Sequence, residues 1–144
     1  MTVREKFENI KMLSTLIDSK LEEIASLRGI ATSITSVLQD IPGHGKGLTR
    51  DKVGDAIAKI VDLENEMMQD VNKLMDLRTE SLKLVDKLND PEEHKIVYLR
   101  YFKFLTWSKI ADETHYTKEG ARKICFRAVD KLEKELEKEL TRNY

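Results

Sequence analysis

The sequence is poor in residues that interrupt a helix. Two prolines and six glycines in 144 residues leave long stretches unbroken, and no segment shows the period-two alternation of a half-buried strand. Its one cysteine, Cys125, excludes an internal disulfide. No apolar run approaches the ~20 residues that cross a bilayer. The opening "MTVREKFENIKML" lacks the apolar core of a signal peptide, so a cytoplasmic location and no membrane partner are expected. There is no excess of one charge either. Charged residues make up 35 % of the chain with a formal net charge of −1, so any nucleic-acid binding has to come from a local patch, not from bulk basicity.

Catalytic and metal-binding sets are missing as well. His44, His94 and His115 are far apart, and no pair has metal-ligand spacing. "PGHGKG" lacks the preceding strand and the GxxxxGK[ST] spacing of a phosphate loop, and reads as a hairpin connection. No Ser/His/Asp or Cys/His set has supporting context. The expectation is a protein that is not an enzyme and carries no cofactor or metal. Cys125 reads as a small buried apolar residue. Met67, Met68 and Met75 read as core.

What is present is helical periodicity. Over residues 2–38, Val3, Phe7, Ile10, Ile17, Leu21, Ile24 and Ala31 recur at three- and four-residue steps, close to a heptad seam, with Ser14 and Arg28 falling on it. Leu13, Leu16, Leu27, Ile34, Val37 and Leu38 widen the stripe. Pro42 ends this helix and the glycines after it release the chain. Thr49 is the expected cap of a second helix running to about Leu88, with Asp51 near its positive end. Its seam is Val53, Ile57, Ile60, Met67, Val71, Leu74, Val85 and Leu88. Helices of roughly 40 residues span ~60 Å and cannot bury an apolar stripe alone. They must pair with each other, with another subunit, or both. Asp90 then caps a new helix with Pro91 in its first position. The predicted architecture is all-α, with a long coiled-coil-like helical hairpin over 1–89 and a helix-turn-helix domain over 90–144.

The C-terminal stretch "TWSKIADETHYTKEGARKICFRAVDKL" contains two threonine caps, Thr106 and Thr117, each opening an amphipathic run. A first helix from Pro91 to about Phe102 offers Ile96, Val97, Leu99 and Phe102 to a core. A second offers Trp107, Ile110 and Ala111, with Trp107 read either as a plug of that core or as a neighbour of a phosphate. A third buries Ala121, Ile124, Cys125, Ala128 and Leu132, with small Ala111, Ala121 and Ala128 permitting close crossings. A helix, a short turn and a second helix make a helix-turn-helix unit. On the third helix Glu119, Lys123, Phe126 and Asp130 point outward at 100° per residue, flanked by Arg122 and Arg127, with Lys118 nearer the core edge. Cations in the first turn oppose the helix dipole, a local conflict of the kind found at functional surfaces. The terminal "DKLEKELEKEL" reads as a solvated face with Leu132, Leu136 and Leu140 continuing a stripe.

The segment "EEHKIVYLRYFKFLTWSKIADETHYTKEGARKICFRAVDKLEK" resembles the DNA-binding region four of bacterial sigma factors. The matching features are Leu99-Arg100-Tyr101 at the end of the first helix, the Ile110-Ala111 pair, the Thr117 cap, Ala121 as the apolar fourth residue, Arg127-Ala128, and Leu132. The chain departs from the pattern at His115, which stands where glycine is usual, and at Phe126, which stands where a polar residue is usual. A long helical N-terminus joined to such a module resembles the small transcriptional regulators of Gram-positive phages and prophages, the ArpU-like and RinA-like late-gene groups. The resemblance implies binding to double-stranded DNA through the helix over 118–132. Arg122 and Lys123 are expected to make base-edge or phosphate contacts, Lys118 and Glu119 early-turn contacts, and Arg127, Lys109 and Trp107 to position the backbone. A homo-oligomer, a dimer set by the N-terminal hairpin, is expected to fix half-site spacing. Arg100 is expected to pair with an acidic residue or with a phosphate. The competing reading is a protein-interaction module, a coiled-coil adaptor or an RNA polymerase-binding factor, with no DNA binding of its own.

Overall fold

The computed structural model describes residues 1–40 and 46–142, with side chains described for 1–37 and 50–142. The chain is all-α: α1 Val3–Asp40, α2 Lys46–Val85, α3 Pro91–Tyr101, α4 Trp107–Glu113 and α5 Lys118–Arg142. The expected Pro42 stop, Gly43, Gly45 and His44 lie outside the described residues, whereas Gly47, expected to help release the chain, falls inside α2. α2 begins at Lys46, upstream of Thr49, so the expected cap at Thr49 lies inside the helix instead of starting it.

The chain divides into two units, Met1–Leu13 with Leu74–Tyr144, and Ser14–Lys73. The boundary expected near residue 89 falls inside the first unit. The reason is apolar. Val3, Phe7 and Ile10 at the start of α1, with Leu84, Val85 and Leu88 at the end of α2, join one core with Ile96, Val97, Leu99 and Phe102 of the α3 segment, Ile110 of α4, and Ala121, Cys125, Ala128, Val129 and Leu132 of α5. Within this unit α3, α4 and α5 each pack against the other two. Phe7 anchors the α1 contribution, its ring 4.8 Å from Tyr101 and 5.7 Å from Phe102.

Local chemistry sets the helix ends. The Asp90 carboxylate accepts from the Glu92 N–H at 2.9 Å, and Pro91 follows where a missing donor costs nothing. Thr106 Oγ1 accepts from the Lys109 N–H at 3.2 Å, and Thr117 Oγ1 from the Gly120 N–H at 3.0 Å. The turn between α3 and α4 is closed by the Leu105 N–H, which donates to the Leu99 carbonyl at 3.0 Å. Phe104 pays a backbone penalty there, with φ of 58°, the only positive φ at a non-glycine among the described residues. His115 therefore has no left-handed backbone. The α4–α5 turn is built instead on extended Thr114, φ −122° and ψ 176°, so the glycine usual at that place is not required here.

In the second unit α1 and α2 run antiparallel. Lys20 pairs with Asp70 and, at 3.7 Å, with Glu66, while Arg28 Nη2 meets Glu64 Oε1 at 2.6 Å. Ile24, Ala56 and Ile60 are buried, whereas Leu16, Leu21, Ile30, Val37, Ile57, Val61 and Met68 are exposed. Met68, expected in a core, is 53 % exposed, and Met75 in the first unit is 61 % exposed. No helix of the described residues is long and apolar enough to cross a membrane.

Candidate functional site

The first half of α5 concentrates cation. Over residues 118–131 five cations, Lys118, Arg122, Lys123, Arg127 and Lys131, stand against two carboxylates, Glu119 and Asp130, leaving a formal +3. Four carboxylates against three cations over 133–142 leave −1. The helix presents these charges because its other face is filled: Ala121, Cys125, Ala128, Val129 and Leu132 are all at most 1 % exposed. Val129 joins that face in addition to the expected residues, while Ile124 is half-buried.

Lys118, Glu119, Arg122, Lys123 and Arg127 are all exposed, as is Lys109 on α4. Lys118 lies in solvent and not at the core edge. The charges of Lys109, Lys118, Lys123 and Arg127 have no carboxylate partner among the described residues. Arg122 reaches Glu119 at a loose 3.5 Å, an exposed i, i+3 pair that contributes little and leaves the guanidinium available. Lys131 is different, since its ammonium meets Glu93 Oε1 at 2.6 Å, which removes it from the free set.

Trp107 is half-buried, and Ile110 is the residue of α4 sealed in the core. The indole is held by arginines: Arg100 lies 4.5 Å and Arg122 5.8 Å from the ring centroid, and Phe126 meets it edge-on at 6.2 Å. Arg100 pairs with no acidic residue among the described residues. Its Nη1 donates to the Leu105 carbonyl at 3.0 Å, so the same side chain ties down the α3–α4 turn and stacks on Trp107. Phe126, 42 % exposed, lies under the Arg4 guanidinium at 5.8 Å. Arg4 also donates its backbone N–H to Glu133 Oε1 at 3.1 Å. The first turn of α1 thus borders the α5 surface. Sequence reasoning missed Arg4 entirely, and no local signal points from Arg4 to a residue 122 positions away.

Beneath this surface two titratable side chains hold their protons. Burial pushes the Cys125 thiol from its ordinary 9.0 up to about 11. Burial, then the neighbouring thiol, pushes the Tyr101 hydroxyl from 10.0 up to about 12. A thiol held protonated at neutral pH is a poor nucleophile. No cluster of three His, Cys, Asp or Glu side chains suited to a metal ion occurs among the described residues. The arrangement offers charge, hydrogen-bond donors and aromatic faces on a helix anchored to a closed core. No protein-family model, curated protein or solved structure matches the chain.

Proposed function

We propose that the chain is a sequence-specific DNA-binding transcriptional regulator that reads the major groove with the first half of α5. The observation that carries this reading is the run of exposed Lys118, Lys123 and Arg127, without carboxylate partners among the described residues and joined by Arg122, on a helix whose opposite face is locked into the core by Ala121, Cys125, Ala128, Val129 and Leu132. A helix held in this way can enter a groove ~12 Å wide without losing its anchorage. Arg122 and Lys123 are the base-edge or phosphate contacts, Lys118 and Glu119 meet the groove at the first turn, and Arg127 and Lys109 touch phosphates. Trp107 supports Arg122 by stacking and also lies near the backbone. The sigma region four resemblance supports the same assignment, including the phage-regulator context.

Dimerisation belongs to this reading. In the second unit Ile57, Val61 and Met68 are exposed at four- and seven-residue steps, a spacing that suits a partner helix of the same heptad period. A second copy supplies one. The same stripe favours the alternative of a protein-interaction module, in which a different helical protein, RNA polymerase included, occupies it and duplex DNA is not bound.

The test begins with selection of bound sequences from random duplex DNA, which reports affinity, motif and half-site symmetry together. Arg122→Ala with Lys123→Ala is then expected to abolish specific binding in a gel shift at moderate salt, with helicity unchanged, and binding by the parent is expected to fall steeply with salt. A double variant that binds as the parent does overturns the assignment. No duplex selected, together with a co-purifying protein, favours the alternative.

A further inference from the structure

Beside the α5 surface, and wholly within the first unit, lies a cleft of about 340 Å³ bordered by the start of α1, the end of α3, the α3–α4 turn, the start of α4 and the middle of α5. The charge balance of its walls is unusual for a chain that is nearly neutral overall. Arg4, Lys11 and Arg100 line it against one carboxylate, Glu8. Neither the Arg4 nor the Arg100 guanidinium has a carboxylate partner among the described residues: Arg4 lies over the Phe126 ring, and Arg100 bonds the Leu105 carbonyl and covers Trp107. The remaining wall is aromatic, with Tyr101, Phe104, Trp107 and Phe126. The other large cleft of this unit, about 370 Å³, contains no aromatic side chain, and its charges include the closed Lys131–Glu93 pair.

Guanidinium forks match phosphate oxygens two at a time. Aromatic rings stack on planar heterocycles whatever their sequence, and interleaved arginine and aromatic side chains are the recurring platform for unstacked nucleotides. The volume sits at the small end of ligand pockets, room for one nucleotide and little more. We propose that this cleft binds a nucleotide, the base against Trp107 and Phe126 and the phosphate between Arg4 and Arg100. The nucleotide comes either free in solution or as a unit of a single strand. Bases within a duplex are stacked and cannot enter, so this site is separate from groove reading and stands whether or not α5 reads duplex DNA. Arg122, which lies over Trp107, gives the occupied cleft a direct neighbour on the α5 surface.

The chain carries its own reporter. Trp107 is the only tryptophan in the sequence, so its fluorescence reads this cleft and the Arg122 edge beside it, and the Arg4→Glu and Phe126→Ala variants assign a change to the cleft. Adenosine monophosphate and, separately, a single-stranded oligodeoxythymidine are titrated into the full chain, with adenosine and inorganic phosphate as controls and with correction for ligand absorption. A saturable change is expected with the mononucleotide, the strand, or both. Saturation by the mononucleotide identifies a free ligand, and saturation by the strand alone identifies a nucleic-acid source. Adenosine and phosphate are each expected to bind at least roughly tenfold more weakly than the nucleotide, because each offers half of the contacts. Arg4→Glu, at an exposed side chain with no ion pair among the described residues, is expected to weaken binding roughly tenfold or more without moving the thermal melt. Phe126→Ala tests the stacking wall independently. Lys134→Glu, an equal charge change elsewhere on α5, is expected to leave the affinity unchanged. No saturable change with either probe overturns the proposal, as does an Arg4→Glu variant that binds like the parent, or adenosine binding as well as its monophosphate.

Discussion

The first unit seals sixteen apolar side chains in one cluster. In the second unit three described side chains, Ile24, Ala56 and Ile60, fall below a tenth exposed. Yet the second unit is not short of apolar residues, since seven large ones stand in solvent there. The difference is geometric. Two helices side by side cover one stripe of each other, and any apolar sector wider than that stripe stays wet. In the first unit, segments of five helices converge and cover most apolar faces, although Met75 and Phe126 stay exposed. The core of the first unit is therefore self-sufficient, whereas ion pairs such as Lys20–Asp70 and Arg28–Glu64 do much to fix the register of the second.

Paired truncations break this comparison most directly. Phe7→Ala removes a fully buried ring that contacts Tyr101 and Phe102, and an expected ~3–5 kcal/mol of stability goes with it. Ile24→Ala, in the thin seam of the second unit, is expected to cost about 2 kcal/mol, because two helices can close around a small void more easily than five. Denaturant unfolding of the two variants decides it. Equal losses would mean that the second unit is as tightly packed as the first.

The contrast also explains which features were legible in the sequence. Helix positions follow from the 3.6-residue period and from the caps Asp90, Thr106 and Thr117, all local signals. The buried faces of α3 and α5 follow from the same period, down to Leu99 and Leu132. Tertiary partners are not encoded locally. Trp107 reads either as a plug of the core or as a neighbour of a phosphate, and it packs against the core half-buried while its indole stacks under Arg100, a contact no local signal announces. Met68 reads as core by its apolar character, and it is exposed because composition does not state how many neighbours a helix face will meet. Of the candidate site, the α5 cations could be read from spacing. Arg4 and Arg100 could not be joined to them, since the start of α1 and the end of α3, both distant from α5 in sequence, bring them there.

A second effect sharpens the comparison at high pH. In the unfolded chain the Cys125 thiol ionises near 9.0 and the Tyr101 phenol near 10.0, while in the folded first unit they hold their protons to about 11 and about 12. Unfolding therefore releases protons in this range. The stability they contribute is complete below pH 9 and drains away as pH climbs from 9 to 12. A two-unit shift corresponds to roughly 2–3 kcal/mol, and the two groups neighbour each other, so the sum falls short of twice that. Melting temperature against pH is expected to fall from about 9 upward. In Cys125→Ala the fall is expected to begin about one unit later, where the phenol alone titrates. An unchanged onset in that variant would remove the thiol from the account.

The smallest of these effects has the opposite sign. In the second unit the exposed hydroxyls of Thr32, Thr35 and Ser36 each donate to the carbonyl four residues back, at 2.8, 2.8 and 3.0 Å. In the first unit Ser81 is fully buried on α2, and its hydroxyl finds no partner among the described residues. A buried hydroxyl without a partner has lost its water and gained nothing in return, at a cost of about 1–3 kcal/mol. Replacing it with alanine removes the polar atom, leaves only a small void and raises helix propensity. Ser81→Ala is therefore expected to stabilise the protein by about 1 kcal/mol, a rise of roughly 3 °C in melting temperature for a chain of this length. Thr32→Ala, where water can replace the lost bond, is expected to stay within about 0.5 kcal/mol of the parent. A Ser81→Ala variant that melts lower than the parent would show that the hydroxyl is bonded in solution, and the core of the first unit would then be less dry than its burial implies.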